Sequence, residues 1–418
     1  IFFRMIIKAY QWLCILVLLS YPGACKGIEN ILGSHGKAIC HSALDCQLNG
    51  VCLMGTCTCS QGWIGARCQH LKLSPAVPER SRATGYKIPD ISSWGASVVQ
   101  GIGEQYFMFV TEMANHCGLT VWETGSQVAL ATSNHPLGPF RRTGLLLGPT
   151  HGNPQVIYLK NGTLIMFHVG EGAFPKDQLC QCHDGTTVPN SSNPNCVLKS
   201  WELQRRGGVF HVGTSITGPW QPKSLGFYCN NPAALLLKNG TVILLCHGSS
   251  RCKGCDISLQ TTSISSLLSA TLRQPPIWTV AADISSTWRW QSGNKSLSPR
   301  NEDPFIWEDP NGYLHMLLHN MVPCSEPEYS KGPGVGCGGH AYSKDGTQWI
   351  FSDVAAYTGQ VTYTDGTISP PWARERPFLL FDKLGHPSYL YTGRAYGPTN
   401  VMPAGFDYTY TMVQEVAS

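Results

Sequence analysis

The stretch Asn301–His319 reads NEDPFIWEDPNGYLHMLLH, and the fold is decided there. Asn301, Glu302 and Asp303 are polar, a proline follows, and Phe305–Trp307 is a short apolar strand. Asp309-Pro310-Asn311-Gly312 supplies a turn, its Asn-Gly pair suited to the positive φ values of a tight hairpin. Tyr313–Leu318 returns as a second strand. The stretch is a β-hairpin with polar residues at the mouth of its first strand.

The same grammar recurs. His151-Gly152-Asn153-Pro154 leads into a strand, the turn Lys160-Asn161-Gly162 and a second strand. Cys229-Asn230-Asn231-Pro232 does so with Lys238-Asn239-Gly240, and Arg374-Glu375-Arg376-Pro377 with a turn at Gly385. The prolines fall at 154, 232, 304 and 377, spacings of 78, 72 and 73. A fixed period of this kind marks a repeat architecture, and β-meander units of this size are blades of a propeller. A second pattern recurs as Ala131-Thr132-Ser133 with Gly138-Pro139-Phe140, then Gly213-Thr214-Ser215 with Gly218-Pro219-Trp220. Ala341-Tyr342-Ser343 with Gly346 and Trp349 repeats it. Its first copy belongs to an earlier blade, opening at Ala96–Val99. The expected fold is therefore all-β, a five-bladed β-propeller over residues 86–418. Only 41 residues follow Pro377. The segment near Tyr86–Ile91 is expected to supply the missing outer strand and close the ring.

With Ser93-Trp94-Gly95, His116–Leu119, Asn301–Phe305 and Arg374–Pro377, these repeats resemble the five-bladed propeller glycoside hydrolases, with family 43 the nearest type. The resemblance covers roughly Ser92 to the last residue. It implies hydrolysis of O-glycosyl bonds, with carbohydrate as the partner and no cofactor.

Ahead of the repeats, Cys40, Cys46, Cys52, Cys57, Cys59 and Cys68 crowd into about thirty residues, 38–70. A core that small needs covalent staples. The spacing resembles an epidermal growth factor-like (EGF-like) domain, which implies the pairs Cys40–Cys52, Cys46–Cys57 and Cys59–Cys68. Such modules serve as spacers or adhesion units, so extracellular proteins are candidate partners through it. Residues 71–85 read as a polar linker without apolar anchors, which predicts a module separable at about Arg80.

Residues 1–25 read as upstream residues followed by a secretory signal peptide, with the apolar run Trp12–Leu19 and small residues at Gly23 and Ala24. Removing Cys14 and Cys25 from 18 cysteines leaves 16, an even number suited to an oxidising compartment. Cys324 and Cys337 share one Gly-rich loop and are expected to pair. Cys252-x-x-Cys255 admits a zinc or redox reading, but in a secreted chain disulfides are the simpler one. The expected product is secreted, without a transmembrane segment. Sequons at Asn161, Asn190, Asn239 and Asn294 are candidate glycosylation sites, although Asn161 and Asn239 also serve as hairpin-turn residues. A net charge of only +4 with dispersed basic residues argues against nucleic acid. Charged residues at 13%, against 44 Gly and 28 Pro, suit a turn-rich β protein.

In a propeller the innermost strands surround the axis, so the residues opening them converge. Gly95, Asn153, Asn231, Asp303 and Arg376 should meet there, with His151, Glu302, Arg374 and Glu375 beside them. Glycoside hydrolysis needs two carboxylates. The resemblance places the general acid at Glu302, and its other two carboxylate positions fall on Gly95 and Asn231. Asp303 and Glu375 are the replacement carboxylates, with Glu112 and His116 weighed behind them. Strand alternation would let only one of Glu302 and Asp303 face the axis, unless the strand end is irregular. Like-charge repulsion from Asp303 and partial desolvation should raise the pKa of Glu302, with Arg374 and Arg376 opposing. Those two arginines could bind an acidic sugar or hold the carboxylates ionised. Trp94 could stack on a sugar or fill space between blades. No metal ligand set is assigned. A propeller that binds glycan without cutting it, or one that serves as a matrix interaction protein, are the alternative functions.

Overall fold

The computed structural model describes residues 40–78, 84–119, 122–170, 208–284, 289–290, 301–320, 337–370, 373–395 and 409–418. Five antiparallel sheets follow one another along the chain. Blade one comprises Ser93–Gln100, Tyr106–Met113, Ser126–Ser133 and Arg141–Leu147, paired in that order. Blade two comprises Gly152–Tyr158, Leu164–Val169, Val209–Gly213 and Trp220–Ser224. Cys229–Leu236, Thr241–Ser249, Cys252–Ser263 and Thr279–Asp283 make blade three. Blade four holds Asn301–Glu308, Leu314–Asn320, Cys337–Ser343 and Ile350–Phe351, with Arg289–Trp290 parallel at its edge. Blade five is Arg374–Phe381, Pro387–Ala395 and Thr409–Glu415. The first strands of successive blades are neighbours, and that of blade five returns to blade one, so the ring is closed.

Strands sandwiched between blades are covered on both faces and read as nearly continuous apolar runs, as in Leu164–Val169, where every residue is buried, His168 included. Separate apolar clusters fill the gaps: Phe167 and Phe210 against Leu244 between blades two and three, and Leu245 against Met316 and Trp349 between three and four. Tyr86 pairs with the last strand of blade five at a single bridge, its N–H and C=O both bonded to Thr411 at 2.9 and 3.1 Å, so the expected outer strand is reduced to one residue and the sheet stays three-stranded. The Tyr86 phenol, buried with Glu112, donates to that carboxylate.

The hairpin turns correct one detail. At Asp309–Gly312 only Gly312 has a positive φ, 83°, and likewise only the glycine does at Gly162 and Gly240. The asparagines act through their side chains or follow a proline that fixes φ. Asn161 Oδ1 accepts from the Thr163 N–H and Asn239 Oδ1 from the Thr241 N–H, at 3.1 and 2.9 Å. So the turn role of both asparagines is seen; Asn190 and Asn294 lie outside the described residues.

The EGF-like module carries the three expected disulfides, Cys40–Cys52, Cys46–Cys57 and Cys59–Cys68. Cys229 pairs with Cys246 within blade three. Cys337 is disulfide-bonded, and Cys324 lies outside the described residues. No helix among the described residues is long and apolar enough to cross a membrane.

The module does not hang on a free tether. Trp63 is 5% exposed and packs its indole on the His340 ring of blade four, with centroids 4.9 Å apart. Gln47 is fully buried between blade-four groups, donating to Ser352 Oγ at 2.9 Å and lying 3.2 Å from His340 Nδ1. The supposed linker is equally engaged. Leu71 and Ala76 are buried, the Ser74 N–H bonds Glu415 O, and the Ala76 N–H bonds Thr362 O. The sequence missed these anchors because they are few and isolated, and their partners lie some 280 to 340 residues downstream.

Candidate functional site

All five inner strands open with the same backbone device. Gly95, Asn153, Asn231, Asp303 and Arg376 have φ values of 70, 57, 45, 56 and 53°. Each marks a break in the ladder, such as the shift between Glu302 and Phe305. A non-glycine residue pays for the left-handed region, and one before proline pays again. Four such residues at one place, with Gly95 as the fifth opening, are strain held by the ring, as functional sites often are. The bulge also cancels strand alternation. Glu302 and Asp303 therefore both reach the axis, as do Glu375 and Arg376.

Two layers result. The floor is a cavity of about 20 Å³ lined by Trp94, Gly95, Asn153, Asn231, Asp303 and Arg376 among others. That is room for about one water. Its polar groups are bonded to one another. Asn153 Nδ2 donates to Asn231 Oδ1 at 3.0 Å, and Asn231 Nδ2 donates to Asp303 Oδ1 at 2.6 Å. Arg376 Nη2 reaches Asn231 Oδ1 at 2.7 Å and Asp303 Oδ1 at 3.0 Å. Burial raises the pKa of Asp303 against the pull of Arg376. Gly95 lets the floor close, since a Cβ there would lie 2.7 Å from Arg376 Cβ.

Above it lies a mouth of carboxylates and histidines. His319 bridges two glutamates, with Nδ1 at 3.4 Å from Glu302 and Nε2 at 3.5 Å from Glu375. His247 Nδ1 lies 3.8 Å from the other Glu302 oxygen. Burial works against charge on His319, yet Glu375, Glu302 and Asp303 outweigh it and lift its pKa to about 9. Burial alone would raise Glu302, but His319, Arg376 and His247 hold it below its ordinary value. Burial pushes Glu375 up to about 7, with Asp303 and Glu302 adding and His319 opposing. Two glutamates across one imidazole thus prefer opposite protonation states.

One atom each from Glu302, Asp303, His319 and Glu375 falls within 4.8 Å of the others. This could be taken for a cation site. Asp303 is committed to Arg376 at 3.0 Å, and His319 lies between Glu302 and Glu375, so the four groups as they stand form an ion-pair network.

Several sequence expectations are corrected. Glu302 is shifted down, not up, because His319 and not Arg374 is its neighbour. Arg374 turns into blade five, bonding Thr392 Oγ1 and Gln414 Oε1 at 3.2 and 2.9 Å with its guanidinium over Tyr357. His116 is exposed and faces the Asp90 carbonyl at 3.0 Å. Glu112 is buried with Tyr86, Gln127 and Arg142. His151 faces two other histidines of blade two. Trp94 lines the floor from within a cluster with Met113 and Ala395.

His319 and His247 were missed. Register was the available signal, since Glu302 pairs with His319 and Asn230 with His247 at equivalent points of blades four and three.

Arg376→Ala should destabilise the protein by about 3–5 kcal/mol, because it strands a buried carboxylate. A denaturant titration measures this. Asp303→Asn with Arg376→Ala should cost clearly less than the two single losses summed; full additivity would remove the pair from the account.

Five four-stranded or near-four-stranded sheets around an axial polar site define the chain as a five-bladed β-propeller bearing an EGF-like module. The teneurin-like EGF domain family matches residues 40–70. Among curated proteins, none matches the chain. Similar solved structures include an endo-arabinase from Bacteroides thetaiotaomicron, 12% identical, covering 82% of this chain and 98% of that one at a TM-score of 0.45. Another is a β-xylosidase/α-arabinofuranosidase from a compost microbial metagenome, also 12% identical, covering 80% and 94% at a TM-score of 0.46. At this identity and overlap the likeness says nothing of this chain's activity, and the propeller reading rests on the five sheets themselves.

Proposed function

We propose that the axial mouth is a glycoside hydrolase-like acid–base site acting on an extracellular oligo- or polysaccharide. The observation that carries this is His319 set 3.4 Å from Glu302 and 3.5 Å from Glu375, where burial and charge push the pKa values of the two carboxyls in opposite directions. Carboxyls whose environments push their pKa values apart divide naturally into a proton donor and an ionised partner. Glu375 is the donor and Glu302 the ionised group, which reverses the role that family resemblance gives Glu302. The floor is too small for a sugar ring, so substrate would rest on the mouth, above Glu302 and Glu375.

The spacing bears on stereochemistry. One oxygen of Glu302 and one of Glu375 lie within 4.8 Å of each other, nearer the ~5–5.5 Å separation of a retaining pair than the ~6.5–9.5 Å of an inverting one. Cleavage by these two residues is expected to retain configuration.

Binding without cleavage is the second reading, favoured by Asn231, which occupies a position where the resemblance expects a carboxylate. A polysaccharide panel with reducing-end detection, run beside glycan binding, separates the two. New reducing ends with wild type and none with Glu302→Gln, while the variant still binds, supports hydrolysis. Binding alone supports the lectin-like reading, and neither binding nor cleavage across the panel overturns both.

A further inference from the structure

Blade two carries a feature that the axial site does not use. His151 precedes its first strand, His168 lies on the second and His211 on the third. Their exposures are 8, 4 and 6%. His168 Nε2 is 2.8 Å from His211 Nδ1, and the three ring centroids lie 4.9–5.6 Å apart. One ring nitrogen from each falls within 4.8 Å of the other two.

From this geometry we propose that His151, His168 and His211 form a binding site for a divalent transition metal ion of the zinc class. Three neutral imidazoles are the donor set that suits zinc, copper or nickel. All three are buried, and a ligating imidazole binds through a neutral ring nitrogen. Two are already oriented by outer partners. His151 Nδ1 donates to the Gly148 carbonyl at 2.8 Å, and His168 Nδ1 to the Val169 carbonyl at 3.2 Å. A backbone carbonyl on the far nitrogen is the usual support for a ligating histidine, and it leaves Nε2 of each with its lone pair.

His211 is the adjustable member. With His168 Nε2 as acceptor, its proton sits on Nδ1 between the rings. A metal would replace that proton, and His211 would move it to Nε2, so no net proton is released. Tetrahedral zinc with bonds of about 2.0–2.1 Å separates its nitrogens by about 3.3 Å, so the 2.8 Å contact must open by about half an ångström. Three protein ligands leave a fourth position for water or a substrate oxygen, the count found in catalytic zinc sites.

The test uses the full chain, stripped with chelator and titrated with Zn²⁺ by calorimetry, with Co²⁺ as a spectroscopic stand-in. One equivalent should bind, and Co²⁺ should give the intense visible bands of a tetrahedral nitrogen site without thiolate charge transfer. His211→Gln and His151→Gln should each weaken zinc by about 100-fold or more, beyond the ~10–100-fold of an outer-partner loss. Glu302→Gln with Glu375→Gln should leave zinc affinity unchanged. Circular dichroism and melting identify a misfolded variant, in which case the other histidine variant decides. No stoichiometric uptake by wild type, thiolate bands, or loss of zinc in the glutamate variant instead would each overturn the site.

Discussion

Glu375→Gln should bind glycan as wild type does and lose roughly 10²–10⁴-fold in kcat, the contribution of a positioned general acid. The substitution keeps shape and hydrogen-bonding capacity and removes the transferable proton. The pH profile carries the sharper content. Glu375 is pushed to about 7, so the donor form is present below that pH and is lost as pH rises through it. Glu302 is held down by His319, so the ionised form is lost only as pH falls below the ordinary glutamate range. A bell should result, with its alkaline limb near 7. His319→Gln removes the charge between them, so both limbs should move upward, Glu302 more than Glu375 if the 3.4 Å contact dominates. Retained turnover in Glu375→Gln, or an alkaline limb that stays in place in His319→Gln, would remove this division of roles.

The propeller was legible because its signals are periodic and local. Each Xaa-Pro opening, Asn-Gly turn and apolar return strand lies within about twenty residues, and a repeat multiplies a weak pattern into a clear one. The convergence of Asp303, Asn231, Asn153 and Arg376 followed from that repeat, and these residues do line one cavity. Side-chain direction was not legible. Alternation predicts opposed faces for Glu302 and Asp303, but a left-handed residue at each strand mouth cancels it. Arg374 was drawn to the axis by its neighbours Glu375 and Arg376, while the structure spends it on Thr392 and Gln414 inside blade five. The histidines of the mouth, with His168 and His211 of blade two, enter from second and third strands, so only the antiparallel register brings them near the openings.

Removal of residues 1–70 should cost the propeller its cooperative melt or lower its midpoint strongly, contrary to the independence that the sequence suggests. Trp63 covers His340, and His340 in turn stacks on His315, Trp307 and Tyr342. His340 and His315 are buried, and burial lowers the pKa of each, so they are kept neutral under that cover. Without the module those rings meet water, Gln47 no longer bonds Ser352, and Tyr342 loses the Leu44 carbonyl. Histidines whose folded pKa is depressed destabilise the fold as pH falls below their unfolded value near 6.5. Both the intact and the trimmed chain should therefore weaken on acidification, and the trimmed chain less steeply, because exposed histidines can take up protons while folded. Trp63→Ala is the gentler test and should cost about 3–5 kcal/mol, as for other buried tryptophans. Denaturant melts of the three proteins at two pH values measure it. Coincident transitions would show that the contact between module and blade four carries no stability, and that the EGF-like module is the spacer its sequence implies.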